Sequence, residues 1–172
     1  VGEDFVDILA NKYDVELKKE NKFLGRYGKV LVFNTTLHLL KPDHYMNESG
    51  IAVKKTINFL NIPIDQILVV HDDLDLPSGN LKFKEMGGHG GHNGLRNIID
   101  HLKGDSSFKR LRIGIGHPGR ERDVTKYVLT KPSSKERDLI GINMNNSLQS
   151  IDLVIQSKWQ EAMLKLHTNE DN

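Results

Sequence analysis

The sequence predicts an α/β domain, and two stretches carry that prediction. Ile67-Leu68-Val69-Val70 is a continuous apolar run entered from a helical pattern, as expected of a strand buried on both faces at the centre of an α/β sheet. Met86-Gly87-Gly88-His89-Gly90-Gly91-His92-Asn93-Gly94-Leu95 then packs five of the chain's 15 glycines between a strand pattern and a helix pattern. Glycine costs folding entropy and is kept where the backbone takes positive φ or approaches another group closely, so this cluster predicts a shaped surface rather than a spacer. At 172 residues, 37% of them hydrophobic, the chain is long enough for one compact domain with a sizeable core.

Composition removes several function classes. There are no cysteines, which excludes disulfides, thiol catalysis and thiolate metal sites and fits a reducing cytoplasm. Lys+Arg 24 against Asp+Glu 23 gives a net charge of +1, so any grip on nucleic acid must come from local clustering. No apolar run approaches the roughly 20 residues that a membrane span requires.

In chain order, Val1, Phe5, Val6, Ile8 and Leu9 mark an amphipathic helix that begins abruptly, with no strand ahead of it. Residues 23–32 and 36–40 read as two strands of a hairpin joined by Phe33-Asn34-Thr35, and Pro42 ends the extended run. A helix over 51–60 follows, with Ile51, Val53, Ile57 and Leu60 as its apolar positions and Asn61-Ile62-Pro63 as its stop. The run at 67–70 ends in His71-Asp72-Asp73-Leu74-Asp75, and the carboxyl ends of strands are where ligands bind in α/β sheets. Asn80 to Glu85 alternates apolar and basic residues, which puts Lys82 and Lys84 on one solvent-facing side. Beyond the glycine loop, Leu95, Ile98, Ile99 and Leu102 recur at helical spacing. Arg110 to Gly116 is another alternating strand with a basic exit loop, His117 to Arg122. From Ser133 to about Gln156 the pattern is one long helix with Leu139, Ile142, Leu148, Ile151, Val154 and Ile155 as apolar positions.

Four constellations can carry chemistry. His71 to Asp75 reads either as a carboxylate set that orients a histidine or holds a cation, or as a solvated turn capping backbone groups. His89 and His92 stand three apart without a third nitrogen or sulfur ligand, a poor metal spacing. Asn47 and Asn93 precede or open helices, where asparagine caps; beside a carboxylate their amides can also hold a carbonyl and a water. Lys82, Lys84, Arg112, Arg120 and Arg122 flank the glycine loop and concentrate positive charge, or else form an ordinary charged sheet edge.

Taken together, Tyr45 to Gly50, Ile67 to Gly79, Gly87 to Leu95 and Arg110 to Gly119 resemble the motifs of bacterial-type peptidyl-tRNA hydrolases, in that family's order and spacing and over essentially the whole chain. The resemblance implies a single domain over 1–172, a twisted mixed β-sheet with helices on both faces. The implied activity is hydrolysis of the ester between peptide and tRNA, freeing the tRNA for reuse in translation, with no metal or organic cofactor. The implied partner is peptidyl-tRNA, met at its acceptor end and peptide, with no membrane and no protein partner required. By residue, Asp72 matches the carboxylate that orients the catalytic histidine, and Asn47 and Asn93 match the paired asparagines near the scissile bond. Tyr45, Met46 and His92 match the pocket beside them. Lys84 and Arg112 match a grip on a tRNA phosphate, with Lys82 nearby. A further basic contact of the family falls on Glu121, leaving Arg120 and Arg122 as substitutes.

The resemblance also implies a strand and an Arg-His-Asn sequence ahead of Val1, so the expectation from sequence is an incomplete enzyme lacking its general base. Two other readings stand beside it. One is a catalytically silent tRNA- or RNA-binding protein of the same fold. The other is a metal-dependent phosphoesterase built on Asp72, Asp75, His89 and His92.

Overall fold

The computed structural model describes residues 1–43, 48–116 and 133–168. Among these described residues, six strands fall into two three-stranded sheets, alongside six α-helices, so the α/β class expected from sequence stands. Contacts within the chain gather into two compact units. One comprises residues 1–2, 70–83 and 111–172, the other 3–69 and 84–110.

The second of these units opens with helix α1 (Gly2–Lys12), whose Phe5, Leu9 and Ala10 are buried as the apolar spacing requires. Glu3 and Asp4 in its first turn and Lys12 in its last complement the helix dipole. Next comes an antiparallel sheet of β1 (Lys18–Glu20), β2 (Gly25–Val32) and β3 (Thr35–Pro42). The hairpin register ends at Val32↔Thr35, leaving Phe33 and Asn34 as a two-residue loop rather than the three expected. Both have positive φ (52° and 58°), the geometry whose twist matches paired strands. Strand β1 has no apolar alternation and was not foreseen; its pairing with β2 is what defines it.

Helix α2 (Ser49–Leu60) ends where expected, at Asn61 in the left-handed conformation (φ 54°). Its buried face differs from the one read from sequence. Gly50, Ala52, Thr56 and Ile57 are covered, whereas Ile51 is exposed. Small residues on that face allow α2 to approach α3 (Asn93–His101), and Ile57 packs with Leu95, Ile98, Leu102 and Phe108 in one apolar cluster, flanked by Val53, Ile62, Ile67 and Val69.

The other sheet has the order β4 (Leu68–Asp73), β6 (Lys109–Gly114), β5 (Leu81–Lys84), and most of its residues belong to the first unit. Among the described residues the apolar run at 67–70 is therefore not central. It leads into β4 at the end of this order with its first three residues half-buried, and the middle strand is β6, where Leu111 and Ile113 are fully covered. On β5 the alternation holds: Leu81 and Phe83 are buried while Lys82 and Lys84 are more open.

The expected long helix from Ser133 breaks into α4 (Ser134–Asn146) and α5 (Leu148–Ile155), followed by an unforeseen α6 (Trp159–Thr168). Ser133 and Glu136 form a reciprocal capping box at the start of α4. At the break, Ser147 Oγ donates to Met144 O at 2.6 Å, offering the backbone an alternative to continuing the helix. The covered face is Ile140, Met144, Ser147, Ser150 and Ile151, while Leu139 and Ile142 are exposed. Phe83 meets the Trp159 ring at 5.0 Å, and the Phe83 amide N–H donates to His167 Nε2. No helix among the described residues is long and apolar enough to cross a membrane.

Candidate active site

In the first unit the acidic cluster at the end of β4 divides into different environments. Asp72 is buried at 7% exposure, and its carbonyl oxygen accepts from the His71 ring Nδ1 at 2.8 Å. Asp73 is committed twice: Oδ2 accepts from Arg112 Nε at 2.7 Å, and Oδ1 accepts from the Asp75 backbone N–H at 2.8 Å. Asp75 itself is exposed. The turn-capping reading thus fits Asp73, while the buried carboxylate is Asp72.

The ion pair with Asp73 is largely shielded, with side-chain exposures of 25% for Arg112 and 14% for Asp73. It fixes the plane of the guanidinium through Nε and leaves the terminal nitrogens for another acceptor. Lys82 lies on β5 in the same unit, half-exposed.

The glycine loop, with Lys84 ahead of it and α3 behind it, belongs to the second unit. Three side chains shape it. His89 Nδ1 accepts from the Gly91 N–H at 3.0 Å, and the His92 N–H donates to His89 O at 2.9 Å, closing a tight turn through Gly90 and Gly91, both at positive φ. His92 Nδ1 accepts from the Leu95 N–H at 3.1 Å, which makes His92 the N-cap of α3. Asn93 does not cap this helix. It is the first helical residue, exposed, and lines a shallow cleft of about 250 Å³ with Arg96, Asn97 and Asp100.

Arg110 is the third shaping residue, and the sequence reading passed it over. A strict period of two sends it to the same side as Arg112, yet it is 1% exposed. Its guanidinium lies 4.5 Å from the Phe108 ring centroid and donates to the carbonyls of Gly87, Gly88 (3.0 Å) and Ser106 (3.0 Å). Burial lowers its pKa from the usual arginine value, but a guanidinium does not lose its proton in a protein. A signal available in the sequence was Phe108, two residues before it and so on the same side of an extended chain. Gly87 sits against this group: at φ 140°, a methyl there would fall 2.9 Å from Lys84 Nζ and 3.5 Å from Arg110 Nη1.

Asn97 was likewise missed. Its Oδ1 accepts from the Gly50 N–H at 2.7 Å, tying the start of α2 to α3. The N-cap of α2 is Glu48, without a side-chain cap bond. Tyr45, Met46, Asn47 and Arg120, together with the rest of the basic exit loop, lie outside the described residues. Among the described residues no group of three or more histidines, aspartates or glutamates is arranged to hold a metal ion.

A buried carboxylate closes β4 in the first unit and a glycine loop opens α3 in the second, both within an α/β protein. More specifically, the chain belongs to the peptidyl-tRNA hydrolase family, whose model, described as "Peptidyl-tRNA hydrolase", matches residues 1–172. It is 47% identical over 168 residues to a peptidyl-tRNA hydrolase of Coxiella burnetii, covering 98% of this chain and 87% of that one. To the enzyme of Chromohalobacter salexigens it is 44% identical over 163 residues, covering 95% and 84%. The crystal structure of peptidyl-tRNA hydrolase from Acinetobacter baumannii superimposes with a TM-score of 0.91 at 40% identity, covering 95% of this chain and 83% of that one. These alignments give no support to the expected loss of an N-terminal strand and histidine segment.

Proposed function

We propose that this chain, acting as a single domain, hydrolyses the ester joining peptide to tRNA in peptidyl-tRNA and returns free tRNA to translation in the cytoplasm. The observation that carries this reading is the burial of Asp72 at the end of β4, beside an Asp73–Arg112 pair that absorbs the neighbouring charges. A shielded carboxylate favours the imidazole tautomer whose other nitrogen accepts a proton, and it stabilises the imidazolium once formed. That imidazole takes a proton from water as the water oxygen attacks the ester carbonyl. The proton then passes to the departing ribose oxygen as the C–O bond breaks.

The amides of Asn47 and Asn93 hold the carbonyl and the water, with Tyr45, Met46 and His92 lining the pocket for the terminal peptide residue. Lys84 and Arg112, aided by Lys82 and Arg120, meet phosphates of the acceptor end. The bond-breaking steps are acid–base chemistry carried by side chains and water, and the reading includes no metal or organic cofactor.

Turnover of an N-blocked aminoacyl-tRNA tests the proposal. The Asp72→Asn variant keeps its fold and substrate affinity while kcat falls about 10²–10⁴-fold. Near-normal turnover by that variant removes Asp72 from the mechanism. Hydrolysis by a polypeptide of residues 1–172 alone assigns the imidazole to this chain; restoration only by an extension carrying an Arg-His-Asn sequence assigns it there. Binding of tRNA with no turnover in either form leaves a silent tRNA-binding protein.

A further inference from the structure

We infer that Arg110 is a positioning residue that aims the Gly88 and His89 amide N–H groups at a phosphate oxygen of the tRNA, an inference resting on the peptidyl-tRNA hydrolase reading. The argument begins with a buried cation. Arg110 is 1% exposed, has no carboxylate partner among the described residues, and spends its guanidinium on the carbonyls of Gly87, Gly88 and Ser106. Its Nε is buried without an acceptor among the described residues. Removing an arginine from water to satisfy only carbonyls is unfavourable in isolation, so what it does to those carbonyls is its consequence for the molecule.

In a trans peptide unit the C=O and the following N–H point in opposite directions. Drawing the Gly87 and Gly88 carbonyls toward Arg110 therefore turns the Gly88 and His89 N–H groups away from it. Neither N–H has an acceptor among the described residues. Gly88 is exposed, and among the described residues other than its chain neighbours no heavy atom lies within 4 Å of where a side chain would start, so the loop surface at Gly88 is uncrowded. Lys84 Nζ stands beside Gly87. Two successive outward amides and an ammonium make an anion-binding concavity. Without Arg110 the carbonyls are free to turn outward, and the same loop would present negative dipoles to a phosphate. The buried cation sets the sign of the loop surface, and Lys84 adds to it.

Two experiments test this. Arg110→Lys keeps the charge, but one ammonium cannot span three carbonyls. Expected is a rise in KM for peptidyl-tRNA of about 10- to 100-fold with kcat nearly unchanged, and no change for a short ester substrate ending in a single nucleoside without phosphates. Equal losses on both substrates, or a kcat loss alone, overturn the inference. Should that variant fail to fold, the wild-type protein decides by amide NMR during titration with a deacylated acceptor-stem minihelix and, separately, with inorganic phosphate. Movement of the Gly88 and His89 resonances with the minihelix supports the inference; movement with inorganic phosphate as well shows that phosphate alone suffices. Unmoved Gly88 and His89 resonances in both titrations, or movement with inorganic phosphate alone, overturn it. Turnover of peptidyl-tRNA with unmoved amides sinks this inference and leaves the hydrolase reading, and moved amides without turnover do the reverse.

Discussion

Gly50→Ala is a single-methyl probe of how α2 meets α3. In most helices this exchange stabilises by about 1 kcal/mol, because alanine loses less backbone entropy than glycine. At Gly50 the added carbon would fall 2.4 Å from Asn97 O, 2.5 Å from His101 Nδ1 and 2.7 Å from Asn97 Oδ1. None of these atoms gives way easily. Asn97 O is helix backbone and accepts from the His101 ring at 2.8 Å, and Asn97 Oδ1 accepts from the Gly50 N–H itself. Relief requires the helices to separate, with an overpacking cost of about 1–3 kcal/mol. If the Gly50 bond also breaks, a poorly solvated N–H adds about 1–3 kcal/mol. Set against the propensity gain, the net destabilisation is about 0–2 kcal/mol with that bond kept and about 1–5 kcal/mol with it broken. Urea denaturation should show a lower midpoint at unchanged m. Gly141→Ala in α4, where among the described residues no atom beyond its chain neighbours and the nearby backbone of its own helix lies within 4 Å of the new carbon, is the internal control and should gain roughly 1 kcal/mol. Equal stabilisation at both glycines would refute the close contact between α2 and α3.

Three other outcomes are expected. Lys84→Ala should weaken tRNA binding whatever peptide is attached, and reduce the slope of log K against log salt by up to about one unit; an unchanged slope argues against a phosphate contact. His92→Ala removes the α3 cap and should cost about 1 kcal/mol in denaturation, whereas His92→Asn should recover most of it. The third outcome concerns pH. His38 Nδ1 accepts from the Tyr27 hydroxyl at 2.6 Å, and burial followed by the charge of Lys29 holds the imidazole below its usual 6.5. The unfolded chain then takes up this proton more readily than the folded one. The His38 contribution is fully present above pH 6.5 and is lost as pH falls toward the lowered value. Thermal stability should decline on acidification in that window, and His38→Gln should flatten that part of the profile.

Much of this molecule is readable from local pattern. The buried positions Phe5 and Leu9 of α1, the alternation of β5 and the apolar face of α3 follow from periods of 3.6 and 2, because each depends only on which side of its own element a residue occupies. The motifs around Asp72 and the glycine loop were equally legible, and the family match agrees with them. What local pattern does not specify is which face of an element another element covers. Ile51, Leu139 and Ile142 are apolar yet exposed; beside Ile51, Gly50 permits an approach to α3 that a side chain would block, and α4 turns Ile140 and Met144 inward instead of Leu139 and Ile142. The order of strands among the described residues, with β6 and not β4 in the middle, is set by long-range pairing. Arg110 shows the limit most sharply. A period of two sends it to solvent, and only carbonyls from the glycine loop and Ser106, brought to it by tertiary folding, make its burial possible. A charge can be buried only where its hydrogen bonds are met, and whether they are met is a property of the folded chain rather than of any stretch of it.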